Sequence, residues 1–133
     1  MTRPAFARAL WLTALTVRAF LGLAAFDAAR TLGFARLCAW LRSTCPSTRV
    51  SLLPADDIVW AVDEACVWYP KRAACLQRSV VATWLLRGQG LRAEMVIGCR
   101  PLPFESHAWV EIEGRVVNDR QAYRAAFVVL DRL

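Results

Sequence analysis

Three residues in the second half of the chain have the side chains that thiol hydrolysis needs. His107 is the only histidine, Cys75 lies at the predicted start of a helix, and Asp119 lies on the predicted strand that follows the histidine. A cysteine, a histidine and a carboxylate can serve as nucleophile, proton carrier and orienting group. The hypothesis requires that the sulfur, the imidazole and the carboxylate converge in one pocket.

The position predicted for Cys75 favours the reactive thiolate. Backbone N–H groups at a helix N-terminus stabilise the anion, and the cations Lys71 and Arg72 shortly precede the cysteine. The same N–H groups can donate hydrogen bonds to the oxyanion that develops on an attacked carbonyl. His107 would carry the proton, and Asp119 would fix its tautomer.

The turn between the strands of His107 and Asp119 decides whether these two side chains meet. With a two-residue turn at Glu113-Gly114, Asp119 would pair with the residue after His107, and the two side chains would point to opposite faces. With a three-residue turn that ends in a left-handed glycine, His107 would pair directly with Asp119. The catalytic interpretation requires this second, bulged register, and a left-handed glycine at the third turn position favours it. It also places Trp109 on the face of His107, as a wall of the cleft.

The elements that must position these residues are helices first and strands afterwards. A helix is predicted over 75–87, and the glycines at 88 and 90 form its C-cap. Apolar or alternating runs predict strands over 93–99, 106–112, 115–119 and 127–130. The predicted fold class is α+β, with N-terminal helices followed by a small antiparallel sheet.

The first half of the chain is predicted to be helical. Two helices are predicted near 4–24 and 26–43, and a third opens at Pro54 and ends before Pro70. The apolar side of this third helix consists of Ile58, Ala61, Val62, Ala65 and Cys66, so Cys66 is interpreted as structural.

Charge is distributed unevenly within the one domain that we expect over residues 1–133. The net charge of +6 comes from residues 1–49, which hold seven arginines and one acid, whereas residues 50–133 sum to zero. We therefore distinguish a basic helical region, 1–49, from a catalytic core, 50–133. Basic helical surfaces dock onto partners or membranes, so any electrostatic partner would bind the first region.

Composition excludes several classes of protein. With 57% hydrophobic and 21% charged residues, the chain is too apolar to be disordered. The longest charge-free run near the N-terminus, 9–17, is too short for a transmembrane span. Arg18 interrupts the apolar stretch and no clear cleavage site follows, which disfavours a signal peptide. Residues 50–133 are neutral and show no basic-aromatic motif, so no nucleic-acid partner is expected.

The cysteines do not predict a metal site or a disulfide framework. They lie at positions 38, 45, 66, 75 and 99, without C-x-x-C spacing and with only one histidine beside them. We therefore expect no metal and no cofactor. Reduced thiols in a cytosolic protein, several of them packed as small hydrophobic side chains, are the simplest interpretation.

Short motifs follow one another over residues 70–120. They are Cys-Leu-Gln-Arg-Ser (75–79), Trp-Leu-Leu-Arg-Gly-Gln-Gly (84–90), Val-Ile-Gly (96–98), Ser-His-Ala-Trp-Val-Glu (106–111) and Gly-Arg-Val-Val-Asn-Asp (114–119). This series resembles the transglutaminase-like leader peptidases of lasso-peptide biosynthesis. The resemblance implies a papain/transglutaminase-like fold, with the cysteine on a helix and the histidine and aspartate on adjacent strands. It matches Cys75, His107 and Asp119 to the family's triad.

The resemblance also implies a reaction and partners. The substrate would be a ribosomally made precursor, from which the enzyme removes the leader peptide. A separate ATP-dependent macrolactam synthetase would then close the ring on the new N-terminus. Some family members carry a fused leader-recognition domain, but the first 74 residues here are predicted to be helical. A discrete leader-binding protein should therefore act in trans, with the basic region 1–49 as its candidate docking surface.

Two alternatives stay open on the residues alone. The same triad could pass its thioester to an amine rather than to water, which would make the protein a transglutaminase-like acyl transferase. The chain could also be a non-catalytic, basic helical adaptor that binds a membrane surface or nucleic acid. Product masses with added amines test the first alternative, and salt-sensitive binding without thiol reactivity would favour the second.

Overall fold

The computed structural model describes residues 4–50 and 53–133, with helices in the first part and strands in the second. The elements are α1 (Ala5–Ala29), a 3₁₀ turn (Arg30–Leu32), α2 (Phe34–Ser43), α3 (Ala55–Trp68), α4 (Cys75–Gly88), β1 (Ala93–Pro101), β2 (Phe104–Ile112), β3 (Arg115–Val116), α5 (Tyr123–Ala126) and β4 (Val128–Arg132). The strands form one antiparallel sheet in the order β3-β2-β1-β4. The predicted α+β class, with N-terminal helices before a small antiparallel sheet, is confirmed.

The first two helices meet later in the chain than the sequence analysis predicts. α1 continues through residues 24–26, where a junction was expected, and ends at Ala29. The chain turns at Gly33, whose φ of 93° lies in the region that glycine adopts most readily. The alanine-rich stretch before it holds no residue that strongly disfavours a helix. The predicted junction near residue 25 is therefore wrong.

One cluster of buried apolar side chains joins the N-terminal helix to the rest of the fold. Leu15 and Leu23 of α1 pack in the same cluster as Ile58 of α3, Leu86 of α4 and Val110 of β2. The core thus continues from residues of the basic region into the segment 50–133. The single domain over 1–133 stays a prediction, and this shared cluster is compatible with it.

The N-terminal helix is also unusually apolar on its outer side. By length and composition alone, Ala5–Leu32 would be long enough and apolar enough to cross a membrane, and 17% of its most apolar window is buried. Core helices and signal sequences meet the same criterion, so it is weak evidence. The expectation that no segment spans a membrane stays a prediction.

α3 follows its predicted bounds closely. Pro54 lies just before its first residue, Asp57 in its first turn binds Arg8 of α1 at 2.7 Å, and the helix ends two residues before Pro70. Its buried side consists of Ile58, Val59, Ala61, Val62 and Ala65. Cys66 packs partly buried against the same cluster, in agreement with a structural role.

α4 is the central helix of the fold and lies within one residue of its predicted end. Its buried residues are Gln77, Ser79, Val80, Val81, Ala82, Thr83, Leu85, Leu86 and Arg87. Gly90 has a φ of 86°, as the predicted C-cap requires. The buried Arg87 guanidinium donates to the carbonyls of Leu41, Ala93 and Leu133 at 2.7–2.9 Å. It thereby ties α2, β1 and the end of β4 to α4.

The central strands β1 and β2 are covered on both faces. Met95, Ile97 and Val110 point to the side of α4, whereas Val96 and Trp109 pack under the segment that contains α5. The predicted strand 115–119 is only the two-residue β3, and the last strand runs over Val128–Arg132 rather than 127–130. α5 was not predicted, since four residues carry no helical periodicity.

Candidate active site

Cys75 is the first residue of α4, as the sequence predicts. The preceding Ala74 is extended, and no side chain caps the helix. The first intrahelical bond runs from the Arg78 N–H to the Ala74 carbonyl at 3.0 Å, so the N–H groups of residues 75–77 precede it. The thiol is half-buried beside this positive end of the helix. This local geometry suits a thiolate and an oxyanion.

The first turn of α4 is anchored to α1 by a side chain. Gln77 is 3% exposed, and its Nε2 donates to the Leu23 carbonyl at 2.9 Å. This bond fixes the start of the helix against the N-terminal layer. Sequence reasoning did not identify the role, because a glutamine two residues after the cysteine could equally face solvent.

His107 and Asp119 form a hydrogen-bonded pair. The imidazole Nε2 lies 2.8 Å from the Asp119 Oδ2, and both side chains are largely buried. The contact occupies Nε2 and leaves Nδ1 as the ring nitrogen that could exchange a proton with a thiol. Two of the three predicted residues are therefore brought together.

The register by which they meet differs from the prediction. β2 and β3 pair as Glu111–Val116 and Ile112–Arg115. The turn is the two-residue Glu113-Gly114, with φ values of 51° and 76°, as a tight hairpin of this type requires. The bulged register, which the catalytic interpretation was expected to require, is therefore wrong. A continued strand would have turned Asp119 away from His107, but the ladder ends before it.

Where the ladder between β2 and β3 ends, the Asn118 side chain accepts a hydrogen bond that a backbone carbonyl would otherwise accept. The last backbone bond runs from the Val117 N–H to the Val110 carbonyl, and the next acceptor for the Val110 N–H is the Asn118 Oδ1 at 2.8 Å. The Asn118 Nδ2 in turn donates to the Ser79 Oγ at 3.2 Å. Because a side chain takes the place of the main-chain acceptor, the backbone can leave the strand before Asp119. The carboxylate is then free to fold back onto the imidazole.

α4 reaches the outer edge of β2 at Ser79, whose Oγ donates to the Ala108 carbonyl at 3.1 Å. Cys75 precedes Ser79 by one helical turn, on the same side of α4. The imidazole lies on the sheet face opposite the body of α4, so it can meet the thiol only around this edge. Within residues 4–50 and 53–133, no hydrogen bond joins the Cys75 thiol to His107. The convergence of all three groups stays a prediction.

Aromatic side chains enclose the imidazole. Trp109 lies on the same sheet face at 6.2 Å between ring centroids, as predicted, and Tyr123 and Phe127 lie at 4.5 and 5.9 Å. Gly98 is opposite His107 on β1, and a Cβ there would approach the Trp109 ring to 2.7 Å. Sequence reasoning did not place Tyr123 or Phe127 beside His107, because Tyr123 lies outside the predicted elements and the pairing of the predicted strand 127–130 was not known.

A buried carboxylate supports this aromatic wall. Glu111 is 1% exposed and accepts hydrogen bonds from the Trp109 Nε1 at 3.0 Å and from Arg132 at 2.9 Å, while Arg124 lies 3.3 Å away. Burial acts to raise the pKa of Glu111, but these partners together hold the pKa below its ordinary value. The carboxylate thus ties β2 to α5 and β4, the elements that cover His107.

An ion pair flanks the site on the side of α3. The Arg78 Nη2 lies 3.2 Å from the Asp63 Oδ1 and 3.4 Å from the Asn118 carbonyl. Burial raises the pKa of Asp63 and the charge of Asp119 adds to this effect, whereas Arg78 opposes it. Arg78 therefore holds α3 against the segment that carries Asp119.

The other potential nucleophiles and ligands are less suited to chemistry. Burial raises the pKa of the Cys38 and Cys66 thiols, which leaves them protonated at neutral pH. In the part of the chain that the structure describes, no group of three or more His, Cys, Asp or Glu side chains could hold a metal ion.

Comparison with known proteins gives two matches. The family model described as the transglutaminase-like superfamily matches residues 19–132. The microcin J25-processing protein McjB of Escherichia coli is 37% identical over 59 residues, which are 44% of this chain and 28% of that protein. The matched part is thus little more than a quarter of the relative's length, and no solved structure matches the chain. Because the family model covers most of the sequence, including the helix of Cys75 and the strand of His107, this chain belongs to the transglutaminase-like superfamily.

Proposed function

We propose that this protein is a cysteine peptidase that removes the leader peptide from a lasso-peptide precursor. Cys75 would be the nucleophile, His107 the proton carrier and Asp119 the orienting group. The observation that carries the proposal is the 2.8 Å bond between His107 and Asp119 in a chain whose predicted nucleophile begins α4. The similarity to a microcin-processing protein supports the choice of substrate.

The proposed reaction has two halves. The Cys75 thiol gives its proton to the imidazole of His107 as its sulfur attacks the scissile carbonyl carbon, and the N–H groups at the start of α4 donate to the oxyanion. The imidazole of His107 passes a proton to the leaving amine, which becomes the N-terminus of the core peptide. Water then loses a proton to the imidazole and attacks the thioester, which releases the leader carboxylate and restores the thiol. Asp119 holds the ring orientation throughout.

The proposed partners follow from this product. The freed amine is the group on which a macrolactam synthetase would close the ring, and a separate leader-binding protein would deliver the precursor. The cytosol, where thiols stay reduced, is the compartment that we propose for this reaction.

The test combines the protein, its precursor and the candidate leader-binding protein, and measures peptide masses. We expect one cleavage, and we expect that Cys75→Ala abolishes it. Cys45→Ala is the matched control, because Cys45 is exposed and lies on the loop after α2. Full leader release by Cys75→Ala protein would remove the proposal. An amine adduct of the leader instead of its free acid would identify an acyl transferase.

A further inference from the structure

A trench runs along the N-terminal helices and reaches the first turn of α4, which begins with Cys75. It consists of two cavities of about 390 and 170 Å³, which share the lining residues Phe26, Ala29 and Leu37. The larger cavity extends between α1, α2 and α4 as far as Trp84. The smaller one ends against Leu76, the residue after Cys75.

The walls of this trench are apolar and open to solvent. Leu32 and Trp40 line the larger cavity and Phe34 the smaller, and these three side chains are 45–58% exposed. Grouped apolar side chains that remain exposed mark binding surfaces more often than isolated ones do. The shape is concave, so it suits one inserted segment of chain rather than a flat surface.

The charged side chains that line the trench are arginines, and one of them, Arg30, lies 3.9 Å from the Asp27 carboxylate. Arg36 lines the larger cavity and Arg30 the smaller, and the Arg18 guanidinium lies over the Trp84 ring at 5.7 Å from its centroid. Neither cavity has a carboxylate among its described lining residues. A complementary ligand is therefore apolar and carries carboxylates.

We propose that the trench binds an apolar, acidic segment of the precursor peptide next to the scissile bond. This inference rests on the proposed function, because Leu76 places one end of the trench at the first turn of α4, the turn that begins with Cys75. A peptide bound there would extend from the nucleophile along α1 and α2. The basic region 1–49 would then bind substrate directly, in addition to any docking of the leader-binding protein.

Neighbouring alanines of α1 provide a matched pair of variants. Ala29 lines both cavities, whereas Ala28 is exposed and lines neither. Ala29→Trp should fill the trench, and Ala28→Trp adds the same side chain to open surface. Ala25→Trp is a second trench variant at an exposed position of the larger cavity. The contribution of charge is tested with Arg36→Glu. Its control is Arg92→Glu, because Arg92 is exposed and lines neither cavity.

Binding is measured by fluorescence anisotropy on Cys75→Ala protein, with the fluorescein-labelled precursor. A short labelled peptide of leucine, alanine and glutamate, and its counterpart with lysine for each glutamate, test the charge preference. We expect Ala29→Trp, Ala25→Trp and Arg36→Glu to weaken binding about tenfold or more, because each removes the burial or pairing of one side chain. The controls should change it by less than about twofold, with thermal unfolding unchanged.

The alternative occupants are distinguishable. Equal precursor affinity for Ala29→Trp and Ala28→Trp would overturn the inference. It would also be overturned if Ala29→Trp left precursor binding unchanged and instead abolished binding to phosphatidylglycerol vesicles, dissociated a dimer of this chain, or released the leader-binding protein. If the wild-type protein binds the precursor with the expected variant pattern but does not cleave it, the peptidase proposal fails and the peptide site stands.

Discussion

The side chain of Asn118 is the feature on which the orientation of the candidate base most depends. Asn118→Ala removes the acceptor of the Val110 N–H and the donor to the Ser79 hydroxyl. Val110 is fully buried, so its N–H would be left without a partner. An orphaned buried donor costs about 1–3 kcal/mol, and the lost bond to Ser79 costs about 0.5–1.5 kcal/mol. The variant should therefore unfold with about 2–4 kcal/mol less stability than the wild type.

The variant is also expected to lose activity. Without the Asn118 amide, the chain has no reason to leave the strand before Asp119, and the carboxylate loses its place at the His107 Nε2. A displacement of about 1 Å in such a group lowers the rate about 10- to 100-fold. A domain usually has about 5–15 kcal/mol of stability, so the variant should still fold. Leader release at saturating precursor then reports the displacement rather than unfolding.

Gln121→Ala is the matched control for this prediction. Like Asn118, Gln121 uses a side-chain oxygen to accept a strand N–H, because its Oε1 lies 3.1 Å from the Val116 N on β3. Unlike Asn118, it is exposed and is not the immediate neighbour of Asp119 in the chain. Because Val116 is itself buried, we expect a loss of about 1–3 kcal/mol, but little change in rate. Urea unfolding followed by tryptophan fluorescence gives the stability, and the nitrogen chemical shifts of His107 report its bond. The reasoning is refuted if Asn118→Ala protein retains wild-type shifts and cleaves within about twofold of the wild-type rate.

Three further predictions concern the frame around the site. Gly98→Ala should destabilise the protein by about 1–3 kcal/mol, because its Cβ would overlap the Trp109 ring, whereas Gly88→Ala meets no atom within 4 Å and should be neutral or stabilising in thermal melts. Glu111→Gln should reduce acid sensitivity. The folded-state pKa of Glu111 lies below its ordinary value of 4.5. The charged carboxylate therefore stabilises the folded protein fully above that ordinary value, and this stabilisation is lost as the pH falls through the folded-state pKa. The acid unfolding curves of wild type and variant should converge there. Arg87→Lys should lower the free energy of unfolding by about 2–4 kcal/mol, because an ammonium cannot reach three diverging carbonyls. An unchanged urea midpoint would contradict this role.

The sequence by itself determined the secondary-structure features of this protein that depend on residues close together in the chain. The start of α4 at Cys75 and its end near Gly88 follow from local helix signals. The alternation along β2 correctly placed His107 and Trp109 on one face. The motifs that these elements carry are also local, which is why the family could be inferred before the fold was known.

Only the tertiary structure decided how the candidate base acquires its partner. The hairpin register was predicted wrongly, because the sequence analysis assumed that His107 and Asp119 could meet only as directly paired strand residues. Nothing in the turn reveals that the Asn118 side chain accepts a backbone hydrogen bond and lets the chain leave the strand. The Asn118 side chain is held in this position by its hydrogen bond to Ser79, which is 39 residues away in the chain. The cover over the imidazole, from Tyr123 and Phe127, likewise depends on a segment without periodicity. Contacts between distant residues depend on how the elements pack, and no local pattern encodes that packing.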